Sequence, residues 1–586
     1  MGDVNETPAI LERLQVGWSR RTFMKRAALF GLAVPAMSGL LAACGDSDDD
    51  DDDDTGQSGS ATQTPSTQAP TATTAAGGAT TTVGGAATAD TGSATTEATS
   101  APEETPTAAD DEGSLDSQLV IAQVSDLQAL YPGVYTSRQS ANIMLQVYEG
   151  LVLREDDMEF IPGLAESWER VDNTTWRFNL RSDVTFQNGK PFVAEDVKLS
   201  FEEGANHPET GVYRYRSFLQ EVKVIDDTTI DVITSIPYSP LLTKIVNMEV
   251  MNAETYTEVG VEGLSEQPVG TGPFRFMEWK QGERVVVEAY EDYWGGRPKL
   301  GTVVFVPIAE NATRTAALES GTVQIAAEVP AEYAKTPREG VEIATVDGTR
   351  LFFVGLNVEF EPLSDPKARQ AMNYGVNVPE IVEALLDGKA EVLHQPAFKK
   401  MFGYSDKIEG YHYDPDQAKQ LLAEAGLEDG FSATLDVAPT FKEIAEAIAG
   451  QLSAINVSIE VNVMDPQALT EKYNSGASEM YFSSWGVSEL DPDNPYSNHF
   501  LSTRPQVYTH YSRPDVDDLI TRAAGEVDDT ERLRLYEEVT QIIVDDAPWI
   551  FLYTPAEIYG VRTSVSNWNP RSDSRFNLME TTVAAE

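Results

Sequence analysis

Cysteine is nearly absent: of 586 residues, Cys44 alone carries a thiol. That excludes an intrachain disulfide framework and a Cys-rich zinc site. Histidine is scarce as well, five in all, and His394, His412, His499 and His510 stand at no metal-ligand spacing, so no metal or haem cofactor is expected. Positive charge is in short supply: 42 Lys and Arg face 94 Asp and Glu, a formal net charge of −52. Such a chain lacks the clustered bases that grip a phosphate backbone, which excludes nucleic acid as a partner. The excess acid instead keeps a solvated surface soluble. Catalytic signatures are missing too, with neither a Gly-x-Ser-x-Gly elbow nor a His-Glu-x-x-His pair. A tethered extracellular hydrolase is therefore the unsupported alternative, because paired carboxylates say nothing in so acidic a chain. No repeat at a fixed period is visible, against a structural or adhesive array.

One long apolar run is present, Ala27 to Ala43, directly after Ser19-Arg20-Arg21-Thr22-Phe23-Met24-Lys25-Arg26. Paired arginines before a short apolar stretch predict a twin-arginine secretion signal over residues 1–43. Pro35 and two glycines interrupt the run, and it falls short of the roughly 20 apolar residues a membrane span needs. It closes on Leu41-Ala42-Ala43-Cys44-Gly45, which resembles the lipobox of prokaryotic lipoproteins. Small residues admit the peptidase, and the freed Cys44 thiol would carry the lipid that anchors the chain to a membrane. Residues 44–115 hold the acidic run Asp48–Asp54 and then mostly Thr, Ala, Ser, Gly and Pro. They cannot bury enough apolar surface to offset ordering entropy, so a disordered tether is expected. The Asp run lacks the glycine-containing spacing of a calcium loop.

From Ser117 the texture changes. Trp176, Phe178 and Leu180 alternate with polar residues, as do Ile230 and Val232, which is the period of a strand. Thr302-Val303-Val304-Phe305-Val306 is the continuous apolar run of a sheet covered on both faces. Asp414 predicts a helix N-cap with Pro415 at the first helical position, Leu421 and Leu422 facing a core, and Gly426 at the end. Leu535, Tyr536, Val539, Ile542 and Ile543 form an apolar helical stripe that stops before Pro548. Strand and helix alternate throughout, so the fold class is α/β with more than one lobe.

Several of these stretches resemble the peptide- and nickel-type extracytoplasmic solute-binding proteins of ABC importers, family 5. They are Tyr148-Glu149-Gly150-Leu151, Pro162-Gly163-Leu164-Ala165-Glu166-Ser167-Trp168, and Thr175-Trp176-Arg177-Phe178-Asn179-Leu180-Arg181 running on to Ala194-Glu195-Asp196-Val197. Later matches are Gly270-Thr271-Gly272-Pro273-Phe274, Tyr293-Trp294, Asn357 before Asp365 and Arg369, Tyr413-Asp414-Pro415, and Trp485 with Asp491-Pro492-Asp493. The resemblance implies a two-lobed periplasmic-binding-protein fold of type II, with an extra subdomain and hinge strands. Residues 116–148, 269–355 and 563–586 would form lobe I, 149–268 its extra subdomain, and 356–562 lobe II. Closure of the lobes around a ligand is the expected motion.

The same resemblance implies a ligand site. Trp485 and Gly486 match a segment that lines the cleft of peptide-binding members, where a flat indole packs on a ligand without selecting a side chain. Three residues after that Trp, peptide binders carry an aspartate that pairs with the ligand's ammonium; here the position is Ser488. A buried ammonium without a counter-ion is costly. Glu489 is adjacent, but neighbours in an extended segment point to opposite sides. The substitution counts against a free amino terminus and for a blocked peptide, an opine or a saccharide. Ser137 and Arg138 belong to a loop of lobe I that faces the cleft, and Arg138 has the donor fork for a carboxylate. Asn357 stands near the hinge as donor and acceptor. The expectation is a monomeric, lipid-anchored receptor that takes up a peptide or another small polar solute and hands it to an ABC permease.

Overall fold

A computed structural model describes residues 117–206, 218–504 and 507–584. All fall in the second of the two units into which the chain divides, Pro106–Glu586. The expected signal, tether and lipidated Cys44 lie outside the described residues.

The apolar run at 302 forms the strand Thr302–Pro307, which lies parallel to Gln118–Gln123 and antiparallel to Arg284–Ala289. Period-two alternation then sorts side chains between two faces. Leu119 and Ile121 enter one core, whereas Ala122 enters a smaller one on the other side of the sheet. The same rule acts in the other half of the molecule. Along Arg350–Leu356, residues Phe352, Val354 and Leu356 join one core, and Leu351 and Phe353 join the opposite one. This strand is hydrogen-bonded to Met480–Gly486 on one side and to Trp549–Arg562 on the other.

Trp549–Arg562 is shared between the halves. Its first part pairs with Arg350–Leu356, and its last part pairs with Val341–Asp347 and Ile325–Ala326. Among the described residues, twelve strands thus join into one sheet that passes from lobe to lobe through a single fourteen-residue strand. The short link from Asp347 to Arg350 crosses beside it. The architecture is a two-lobed α/β binding-protein fold with hinge strands.

A separate four-stranded antiparallel sheet is built from Ala165–Arg170, Thr175–Leu180, Thr229–Thr234 and Leu219–Asp226. Trp176 sits opposite Val232 and Phe178 opposite Ile230, and all four enter the same core. The predicted helix signals also act as expected. Asp414 caps Pro415–Glu424 by accepting from the N–H groups of Asp416 and Gln417, and Gly426 follows at φ +74°. Helix Asp529–Asp546 buries Leu535, Tyr536, Val539 and Ile543 and stops at Ala547, which turns left-handed before Pro548.

Candidate functional site

Both lobes contribute walls to a cavity of about 350 Å³, within the size range of small-molecule sites. From lobe I come the loop ending at Ser137 and the first turn of helix Arg138–Val147. From lobe II come Ser484, Trp485, Gly486 and Ser488, at and just beyond the end of strand Met480–Gly486. Arg350 opens the crossing strand opposite Gly486, and Glu557 stands on the shared strand. Glu249 and Asn247 enter from the segment after helix Leu241–Ile245, and Asp573, Ser574 and Arg575 from the C-terminal stretch.

Five of the six ligand residues expected from sequence therefore meet at this cavity: Ser137, Arg138, Trp485, Gly486 and Ser488. Asn357 does not. It is buried, its amide donates to the carbonyls of Gly476 and Ser478 at 3.2 Å each, and its oxygen accepts from the Glu359 N–H. It ties off the end of its own strand, which leaves no amide atom for a ligand. Cys44, the expected lipid site, lies outside the described residues.

The hydrogen bonds show which side chains are already spent. Ser137 caps its helix by accepting from the Ser140 N–H. The Arg138 Nη1 donates to Glu557 Oε1 and to Ser574 Oγ, both at 2.6 Å, so its charge is balanced inside the protein. Trp485 Nε1 donates to Asn494 Oδ1 at 2.6 Å, and the ring meets His499 edge-on at 4.6 Å. With its polar edge satisfied, the indole adds apolar surface to the cavity wall. His499 is neutral there, its pKa pushed down to about 3 by burial. Ser488 Oγ donates weakly to Glu489 Oε2 at 3.4 Å. Glu489 itself is buried and absent from the cavity wall, so it does not stand in for the missing aspartate.

Two groups in the wall went unrecognised in the sequence. Arg350 makes its one hydrogen bond among the described residues to Ser484 Oγ, at 3.2 Å. Burial first, and then the neighbouring Arg138 charge, lower its pKa against the opposing pull of Glu557 and Glu328. Glu249 is 6 % exposed, and its Oε1 has no hydrogen-bond partner. Burial pushes it up to about 8, against the opposing pull of Arg575 and the Gly133 N–H. A lone acid inside Ile245-Val-Asn-Met-Glu-Val-Met251 was the available signal for Glu249, and a charge opening an apolar strand was the signal for Arg350.

A second cavity of about 490 Å³ adjoins the first and shares Leu145, Asn247, Ser488, Asp573 and Arg575 with it. Its buried acid, Glu149, is raised to about 7 by burial, yet it accepts from Tyr293 Oη at 2.5 Å and Trp294 Nε1 at 2.8 Å. That carboxyl is satisfied internally.

Comparison with known proteins places these features in context. Residues 159–506 match the bacterial extracellular solute-binding proteins, family 5 Middle. A glutathione-binding protein of Pectobacterium atrosepticum is 30% identical over 479 residues, covering 78% of this chain and 93% of the relative. A dipeptide-binding protein of Escherichia coli is 28% identical over 489 residues, covering 77% and 91%. Among solved structures, an ABC transporter-associated periplasmic binding protein of Helicobacter pylori, in complex with the peptide STSA, superposes with a TM-score of 0.69 at 25% identity. That match covers 80% of this chain and 98% of the other.

Proposed function

The chain belongs to family 5 of the bacterial extracellular solute-binding proteins, and from that premise we propose that its cleft captures a peptide or a related small polar solute for delivery to an ABC permease. The observation that carries this reading is the cavity between the lobes. It is walled by the indole of Trp485, by the Arg350 guanidinium, which has no carboxylate within 4.0 Å among the described residues, and by Glu249, one of whose carboxyl oxygens lacks a hydrogen-bond partner. Apolar contact without side-chain selection, joined to charged groups at fixed points, suits a solute recognised by its backbone. Ligand binding to a population of open and closed forms would favour closure, because the closed form alone supplies both walls. The amino-terminal address extends the proposal to the membrane: export by the twin-arginine route, a lipid on Cys44, and residues 44–115 as the leash.

The test is a thermal-shift screen against free dipeptides, glutathione, N-acetylated peptides, opines and oligosaccharides. A ligand at about 100 times its Kd adds roughly 2.7 kcal/mol, enough for a clear shift. A shift with peptides is the expected result. Trp485→Ala should then weaken binding at least ~tenfold while the empty protein melts as before. Equal affinity in that variant would remove the indole from the site, and a screen with no shift at all would sink the proposal.

A further inference from the structure

Ser488 stands where two cavities meet. These cavities, of about 350 and 490 Å³, share Leu145, Asn247, Ser488, Asp573 and Arg575. Four of the five belong to the subdomain and lobe I. Among the described residues, Ser488 is the one residue of lobe II that lines the second cavity. The polar members of the other side are held within the protein. Asp573 takes both arms of Arg571, at 2.8 and 3.1 Å, and Arg575 Nη2 donates to Asn247 Oδ1 at 3.5 Å. From lobe II comes only the short side chain of Ser488, whose hydroxyl donates weakly to Glu489 Oε2 at 3.4 Å.

The backbone that carries Ser488 is pinned. Ser488 and Glu489 are the corner residues of a turn, closed by the Leu490 N–H on the Val487 carbonyl at 3.2 Å. Three further hydrogen bonds hold that turn from different directions. The Val487 N–H donates to the Thr349 carbonyl at 2.8 Å, and the Phe402 N–H to the Leu490 carbonyl at 3.0 Å. Arg154 Nη2 donates to the Glu489 carbonyl at 2.7 Å. Val487 and Glu489 are both buried. Added bulk at 488 would therefore enter the junction of the cavities rather than be absorbed by the turn.

The two cavities differ in chemistry. Polar groups such as Ser137, Arg138, Arg350, Ser484 and Glu557 wall the first. The second brings in Leu153, Ile161, Pro162, Val246, Phe576 and Leu578. Its interior charges are committed within the protein. Arg154 holds the Met158 and Glu489 carbonyls, and Arg571 holds Asp573. Arg181 donates to the Gly163 carbonyl at 2.8 Å and lies 4.3 Å over the Trp294 ring, while Glu149 accepts from Tyr293 and Trp294. We propose that one solute spans both cavities, with its polar part in the first and an uncharged, apolar part in the second, and that the short side chain at 488 is the doorway between them. This rests on the reading of the cleft as the solute site and adds a class to it: elongated solutes with a polar head and an apolar extension. The two volumes together stay within the range of single-ligand sites. A charge carried into the second cavity would find its interior partners taken, and an uncompensated buried charge is costly.

Calorimetric titration of the full chain compares dialanine with dialanine extended at either end by phenylalanine, or by glutamate in its place. Wild type should bind at least one phenylalanine-extended peptide ~tenfold or more tightly than dialanine, the gain from burying an aromatic side chain. Extension by glutamate should gain nothing. Ser488→Leu should bring the ratio of extended to short affinity close to one, whereas Ser488→Ala, which keeps the doorway open, should preserve it. Ile161→Trp, which fills the second cavity from the subdomain side, should also bring the ratio to one. That variant leaves the turn at 488 untouched, so it separates a blocked cavity from a disturbed turn. Equal binding of short and extended peptides by wild type overturns the inference while leaving the solute-binding reading intact. A preference that survives in Ser488→Leu or in Ile161→Trp overturns it too, and so does an equal gain from glutamate. If neither these peptides nor any solute of the thermal-shift screen binds, both readings fall.

Discussion

At the scale of single residues, the raised pKa of Glu249 would make capture of a cationic solute against it a proton-linked event. Its pKa stands at about 8, raised by burial and held back by Arg575 and the Gly133 N–H. The other charged groups facing this space are Arg138, Arg350, Arg575, Glu557 and Asp573. Arginine does not titrate in this window, and the two acids are each ion-paired to an arginine. Below about pH 8 an ammonium docking on Glu249 would displace its proton. Binding at roughly pH 6.5 should release close to one proton, and affinity should rise up to ~tenfold per pH unit until a ligand α-amino group, near pH 8, loses its own charge. Calorimetry in two buffers of different ionisation enthalpy checks this. Glu249→Gln should abolish the release, and a wild type that binds without proton release would mean that the ligand does not meet Glu249. Stability has its own sign. The folded pKa exceeds the ordinary value of 4.5, so the contribution of Glu249 is present at low pH and fades as pH climbs from about 4.5 to 8.

Secondary elements show where reading the sequence succeeds and where it stops. Period-two runs at 176–180 and 230–232, and the continuous apolar run at 302–306, became strands because both patterns are local properties of the extended chain. The Asp414 cap is local as well, its partners lying two and three residues away. The cleft is partly legible for a different reason: Trp485, Gly486, Ser488, Ser137 and Arg138 were found through their resemblance to family motifs. Glu249 and Arg350 had no such guide. Their place in the cavity wall depends on long-range contacts, as does the pairing of Arg138 with Glu557, 419 residues apart. Asn357 fails for the same cause, its amide claimed by carbonyls of residues 476 and 478. Strand Arg350–Leu356 also carries a packing prediction. Phe353 stacks on Trp549 with centroids 3.6 Å apart and meets His499, the ring that abuts Trp485. Phe353→Ala should cost about 3–5 kcal/mol in urea unfolding of lobe II. It should also broaden the Trp485 fluorescence environment, whereas a loss below about 1 kcal/mol would mean that the two cores collapse to fill the gap.

For the whole molecule, the decisive contacts are those that join the subdomain to lobe II beside the cavity. Lys244 Nζ lies 3.4 Å from Asp493 Oδ2, both side chains under a tenth exposed, and Tyr238 Oη donates to the same oxygen at 2.6 Å. Arg154 Nη2 donates to the Glu489 carbonyl at 2.7 Å, and the Ser239 N–H to that of Ala524 at 2.9 Å. Burial alone would raise the pKa of Asp493. Lys244 first, then Tyr238 and Arg532, hold it below the ordinary carboxylate range, so the aspartate stays charged and in need of these partners. Opening the lobes would strip Lys244 and Tyr238 from it at once, so the contact weights the equilibrium toward closure. Breaking a buried pair by removing one partner costs about 3–5 kcal/mol. Tyr238 and Arg532 remain in Lys244→Met, so only part of that is forfeited. Apparent affinity scales with the fraction of binding-competent protein. Lys244→Met should therefore bind more weakly, and its empty form should show a larger radius of gyration in small-angle scattering that contracts again at saturating ligand. Unchanged radius and affinity would mean that the ion pair follows closure without favouring it, and that the shared strand Trp549–Arg562 alone sets the angle between the lobes.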